Sequence, residues 1–301
     1  MAYISEFRAL FHELTRHETW QGMSQNMDDW LRQNAALIDH LSHHRQFDSS
    51  FAFDREELHS WYALSRVNDL LLPWQPEQKS EYAWDVPELP LIEYSKFWDA
   101  LQFTRLHPRS YHPFWCEIVD VEASDEFDQP LQIVEVLWPC LAFGNLLFSR
   151  AGVRVRSGAK YLDAKIATTS TLYFSYIRPH RKTKDLSLGW GSNSQWGTNF
   201  RRDYIYGDHF LFNVDGETHS DKPPYLDEPP YLDEPPFLQN VDENTLPQRQ
   251  FFASDNGDNG DLTLEEREEV LIHRSFVKCT KDDSDFWPYD DCFVVKRDTS
   301  L

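Results

Sequence analysis

The chain has 301 residues, 41% hydrophobic and 15% aromatic, with a formal net charge of −21. That much apolar material can bury a sizeable core in one large domain or two smaller ones, and it excludes a chain disordered throughout. An exterior this acidic excludes a general nucleic-acid coat and leaves room only for a local basic site.

The first 75 residues read as helices. Ile4, Phe7, Leu10, Phe11 and Leu14 recur at i, i+3, i+4 and i+7 and so share a face. Met27, Trp30, Leu31, Asn34, Leu37, Ile38 and Leu41 repeat the pattern from a Ser24 cap, with Asn34 as the break in the stripe. Asp54 with Glu57 is a capping box opening a third helix, Leu58 to Leu72, which is apolar almost all round and is stopped by Pro73. An all-round apolar helix belongs in an interior. Residues 76–113 form a proline-punctuated connector with one helix, Tyr94 to Leu106.

After Pro113 the pattern turns to β. Phe114 to Glu122, Leu131 to Trp138, Val153 to Arg156, Ala164 to Ile177 and Tyr204 to Val214 are rich in Val, Ile, Thr, Tyr and Phe, with turn residues between. The short spacing with few helical stretches predicts an antiparallel sheet in the 114–215 region. Residues 216–261 are acidic and proline-rich. They hold two Pro-Pro-Tyr-Leu-Asp-Glu hexapeptides from Pro223 and a degenerate third, whose Pro-Pro pairs predict extended, flexible chain. The last region, 262–301, is read as a helix, Leu262 to Phe276, and an aromatic-acidic tail able to add a strand. The fold class expected is α+β: a helical N-terminal layer packed on a mostly antiparallel sheet, with the acidic segment and a short C-terminal helix after it.

One stretch departs from the general acidity. Arg150 to Arg202 holds eleven lysines and arginines against two acids, with Tyr161, Tyr173, Phe174, Tyr176, Trp190, Trp196 and Phe200 interleaved. Segregated charge beside stacking surfaces points to an anionic partner or to the chain's own acidic segment as internal competitor. The binding candidates are Arg178, Arg181, Lys182, Lys184, Trp190, Trp196, Arg201 and Arg202. A protein partner is expected ahead of nucleic acid, because no RNA-recognition signature or helix-turn-helix is present.

Acid-base groups gather at Asp203, Asp208, His209, Asp215 and His219, the set a metal- or calcium-dependent hydrolase needs. Asp255, Asn259, Asp261 and Glu266 fall at calcium-loop spacing, although Gly257 stands where a third side-chain oxygen is wanted and no second loop accompanies it. His40, His43 and His44 share a helix face, where they either chelate a metal or favour the helix dipole. No nucleophile elbow or phosphate-cradling loop occurs.

Cys116, Cys140, Cys279 and Cys292 are widely spaced, which reads as reduced thiols in a cytoplasmic protein, with Cys116 and Cys140 in the core. Neither a signal peptide nor a membrane span is expected, since the longest apolar run, Val136 to Phe148, is broken by Pro139, Gly144 and Asn145. The sequence thus predicts a non-catalytic binding protein, accessory or inhibitory, with the hydrolase as the alternative.

Overall fold

A computed structural model describes residues 3–46, 53–76, 84–162, 164–169, 172, 174–181, 183, 196–206, 209–215 and 293–296. Among them, in chain order, run α1 (Ile4–Leu14), α2 (Trp20–Gln33), α3 (Ala35–Gln46), α4 (Arg55–Leu71), α5 (Leu91–Ala100), β1 (Thr104–Leu106), β2 (Cys116–Ala123), β3 (Gln132–Trp138), β4 (Cys140–Phe143), β5 (Leu146–Ser149), β6 (Ala151–Ser157), α6 (Ala164–Thr169), β7 (Asp203–Tyr206), β8 (His209–Phe212) and β9 (Phe293–Lys296). The class is α+β with mostly antiparallel strands, as the sequence predicts. The predicted helix Leu262 to Phe276 and the acidic segment lie outside the described residues.

The chain divides into two compact units, each assembled from separated stretches. The first takes the described residues up to Leu106, Leu137–Ser149 and Leu172–Phe200; the second takes His107–Val136, Arg150–Thr171 and the described residues from Arg201 onward. This division cuts across the linear regions expected from composition.

In the first unit the helices pack on antiparallel strands. β4 pairs with β1 on one side and β5 on the other. Trp61 of α4 and Trp98 of α5 meet Phe103, Phe143 and Phe148 at ring distances of 4.8 to 6.0 Å. Each fully buried aromatic stabilises the unit by about 1.5–3 kcal/mol through lost water contact. Edge-on pairs such as Trp98 with Phe103 add about 0.5–1.5 kcal/mol more.

The predicted capping box at Asp54 and Glu57 is present in both directions. α4 is buried along nearly its whole length, including the polar side chains of Ser60, Arg66, Asn68 and Asp69. The second predicted helix is two helices. Asn34 ends α2 by donating through its side-chain amide and its backbone N–H to the Trp30 carbonyl, and its own carbonyl then accepts from Leu37 and Ile38 to start α3. The cap of α2 is Thr19, not Ser24, whose hydroxyl donates instead to Glu93 on α5.

In the second unit β2 and β6 run parallel, with β3 on the other side of β6. β7 and β8 form an antiparallel hairpin, and β9 pairs antiparallel with β8, the extra strand the tail was expected to add. Phe114 stacks on Phe210 at 4.4 Å and meets Phe212 edge-on at 5.2 Å.

Tyr204 to Val214, expected as one strand, is the β7–β8 hairpin, and in the region expected to be an antiparallel sheet β2 and β6 pair parallel. Two further predictions fail here. Ala164 to Ile177 is not one continuous strand: Ala164–Thr169 is helical, with the hydroxyls of Thr168 and Thr169 donating back to the Ala164 and Lys165 carbonyls. The helix expected from Tyr94 to Leu106 starts earlier, after Pro90, and ends at Ala100, with Gln102 in the left-handed region (φ 66°) turning the chain into β1. No helix among the described residues is long and apolar enough to cross a membrane.

Candidate functional site

In the parallel pair β2 and β6, register sets Arg154 opposite Asp120 and Arg156 opposite Glu122. Cross-strand pairs of opposite charge form, Arg154 with Asp120 at 2.9 Å and Arg156 with Glu122 at 2.5 Å, and Arg154 also reaches Glu135 of β3. These pairs are partly or largely exposed, so each is worth at most about 1 kcal/mol.

Arg150 is different, because it is 4% exposed. Its Nε donates to the Pro113 carbonyl at 3.0 Å and a terminal nitrogen donates to Asp203 at 2.7 Å. The other Asp203 oxygen accepts from the Asn213 N–H at 2.7 Å, at a residue whose φ of 49° suits Asn. One arginine and one aspartate thus tie together the turn before β2, the start of β6 and both ends of the β7–β8 hairpin.

Beside this pair, burial and then the Arg150 charge push His112 down to about 4, leaving a neutral imidazole whose Nδ1 accepts from the Phe114 N–H at 3.0 Å. Burial likewise pushes the Cys116 thiol up to about 12, which makes it an inert core residue, as its apolar surroundings predict. Farther along the unit, Arg202 forks onto Asp215. Burial opposes the Arg202 charge, but Asp215 and Tyr204 outweigh it and hold the guanidinium above its usual range.

In the first unit the same economy is built on α4. Asp69 accepts from the Arg178 guanidinium and, at 2.8 Å, from the Ile177 N–H. Asn68 donates to Ser149 at 3.0 Å and accepts from the Tyr94 hydroxyl at 2.9 Å. One helical turn earlier, the Arg66 guanidinium lies between the rings of Tyr176 and Trp196, 3.8 Å from each centroid. Trp196 also meets Phe11 edge-on at 5.3 Å. Residues 174–181 and 196–200 are therefore held on α4 by a cation sandwiched between rings and a buried ion pair, an arrangement Arg supports better than Lys because its planar group stacks. His180 sits against Trp74 and Trp138, and desolvation, then Arg181 and Arg178, drive its pKa well below the usual range.

These contacts correct the expected docking face. Arg178 and Arg181 are 2% and 3% exposed and Trp196 is 7% exposed, so none of the three lies open to a partner. Arg201 is half-buried and Arg202 is joined to Asp215. The buried Arg150 and Arg178, the mostly buried Arg202 and the more exposed Arg154 and Arg156 each have a carboxylate from their own unit. Lys182, Lys184 and Trp190 lie outside the described residues.

The hydrolase set is dispersed in the same way. Asp203 is a structural acceptor with both oxygens engaged, not a general base, and Asp215 is paired with Arg202. His209 is on β8 with its side chain outside the described residues, as are Asp208 and His219. The calcium candidates Asp255, Asn259, Asp261 and Glu266 also fall outside them, as do the side chains of His43 and His44. His40 meets Tyr3 edge-on at 5.6 Å. Among the described residues no group of three or more His, Cys, Asp or Glu is placed to hold a metal ion. A cavity of about 20 Å³ beside Phe7, Leu41, Trp61 and Leu64 has room for roughly one water and none for a substrate.

Sequence reasoning missed Arg66, Asn68 and Asp69. The signal was present: three polar residues within one turn of a helix otherwise apolar all round must be hydrogen-bonded or paired when the helix is buried. Comparison with protein-family models, with curated proteins and with solved structures finds nothing that matches the chain.

Proposed function

We propose that the protein is a non-catalytic binding protein of the cytoplasm and that its partner is another protein. The supporting observation is the disposition of charge. Arg150, Arg154, Arg156, Arg178 and Arg202 each answer a carboxylate within their own unit, and Asp203 and Asp215, which a hydrolase would use, are taken up in the same pairs.

The chain carries −21, and these five arginines of its basic stretch are each matched by a carboxylate of their own unit. This favours a cationic partner surface over the anionic one the basic stretch suggests. Buried cysteines at Cys116 and Cys140, widely spaced in the sequence, fit a reducing compartment.

The test pairs affinity capture from native lysate, with and without nuclease, with calorimetric titration of calcium, zinc and manganese. The expected result is a set of basic proteins retained at low salt, insensitive to nuclease, and released near 1 M salt, where the Debye length shrinks to about 3 Å. Tight, saturable binding of a metal together with hydrolytic turnover would instead establish the enzyme.

A further inference from the structure

The loop between β2 and β3 presents a large apolar side chain to water. Phe127 is 67% exposed, more than any other large hydrophobic residue among those described. A single exposed apolar residue needs no explanation on a loose surface loop. This loop is not loose.

The Phe127 carbonyl accepts from the Lys160 N–H at 3.0 Å, and the Gln129 carbonyl accepts from the Gly158 N–H at 2.9 Å. The Ser124 N–H donates to the Ser157 carbonyl at 3.0 Å, and the Ser124 hydroxyl caps the turn by accepting from Glu126 N–H at 3.1 Å. Gly158 is required for this docking: a Cβ there would stand 2.3 Å from the carbonyl oxygens of both Glu126 and Phe127, closer than any side-chain carbon can approach. The backbone that carries the ring is therefore fixed to the end of β6 while the ring itself points outward.

The ring is left in water on a backbone held in place by these bonds. Large, preorganised aromatics are the side chains that dominate binding interfaces, because little freedom remains to be lost on docking. Asp125, Glu126 and Asp128, all exposed, flank the ring; Lys160, exposed on the segment the loop docks to, offsets one of these charges and leaves the collar net negative. Phosphate backbones and anionic lipid surfaces are repelled by that collar, and a second copy of a chain at −21 brings like charge to like. What fits is an apolar pocket rimmed by lysine or arginine.

We propose that Phe127 is the anchor of a protein-binding site, inserting into an apolar, basic-rimmed pocket of the partner. This rests on the binding reading above and names the surface that reading uses.

A photo-reactive benzoylphenylalanine placed at position 127 of the full chain, irradiated in native lysate, tests it by peptide-level mapping of the adducts. The expected adducts are to apolar peptides bearing Lys or Arg. In binding assays with the protein so identified, Phe127→Ala weakens affinity by about thirtyfold while leaving the melting temperature unchanged, as suits a side chain already in water. Gly158→Ala, which keeps the ring but dislodges its loop, weakens it as well, and Asp125→Asn with Asp128→Asn removes most of the salt dependence. Adducts confined to the chain itself, to lipid or to acidic peptides overturn the proposal, as does their absence. If a basic partner is captured with undiminished affinity by Phe127→Ala, the anchor is refuted while the binding reading stands; metal-dependent turnover with no captured protein refutes both.

Discussion

Asp203 and Arg150 show what a buried charge does to its surroundings. Removing one member strands the other in a low-dielectric interior, so Asp203→Ala is expected to lower unfolding free energy by about 3–5 kcal/mol in urea titration. Adding Arg150→Met to it should return part of that loss, because the lone charge is gone; the Pro113 carbonyl and the Asn213 N–H still lack their partners and keep the remainder. His112 makes the fold sensitive to acid. Its folded-state pKa near 4 lies below the ordinary 6.5, so the unfolded chain takes up a proton first as pH falls. Its contribution is complete above about pH 6.5 and is lost on descent to about pH 4, roughly 3 kcal/mol across the window. Urea midpoints measured from pH 7 to 4 should follow that slope, and His112→Asn, which keeps an acceptor for the Phe114 N–H, should flatten it. None of these pairings was legible in the sequence. A composition count finds eleven cations between 150 and 202, but their carboxylates are 53 residues away for Arg150 and 109 for Arg178. Proximity along the chain therefore suggested a common face, whereas Arg150 and Arg178 answer carboxylates distant in sequence.

At the scale of elements, periodicity was a good guide where one competing interaction did not outweigh it. α1 was readable from its apolar spacing alone, and α4 because its apolar run, capping box and terminating Pro73 all agree. Replacing Asp54 by Ala should cost about 1 kcal/mol, seen as a lower thermal midpoint, since the Glu57 N–H loses its acceptor. The stripe from Met27 to Leu41 misled because apolar spacing does not record what a polar residue within it is doing. Asn34, noted as a break in the stripe, uses its side chain to close one helix while its carbonyl opens the next. Residues 164–169 misled because β-propensity yields to context, and Thr168 and Thr169 sit in a helix with their hydroxyls bonded to carbonyls one turn back. Gly158 was invisible in the sequence, since its necessity comes from carbonyls of residues 126 and 127. Gly158→Ala should destabilise the second unit by about 1–3 kcal/mol, measured by urea denaturation of the variant against the parent chain.

At the scale of the molecule, the α+β class was legible from the switch of period after Pro113, but the grouping of the chain was not. Composition divides it into consecutive blocks, whereas each compact unit draws on stretches that alternate along the chain. The first unit's helices bury Trp61 and Trp98 against Phe143 and Phe148, which arrive only after the chain has contributed His107–Val136 to the other unit. A fragment ending at Leu106 should for that reason lack the near-ultraviolet circular dichroism of fixed aromatic side chains, while the full chain shows it. The same alternation bears on synthesis. Translation proceeds at about 5–20 residues per second, so the roughly ninety residues between Leu106 and Phe200 take on the order of 5–20 s to emerge. Until Phe143 and Phe148 follow, Trp61 of α4 and Trp98 of α5 lack those partners, and a nascent chain in that condition is a client for holding chaperones.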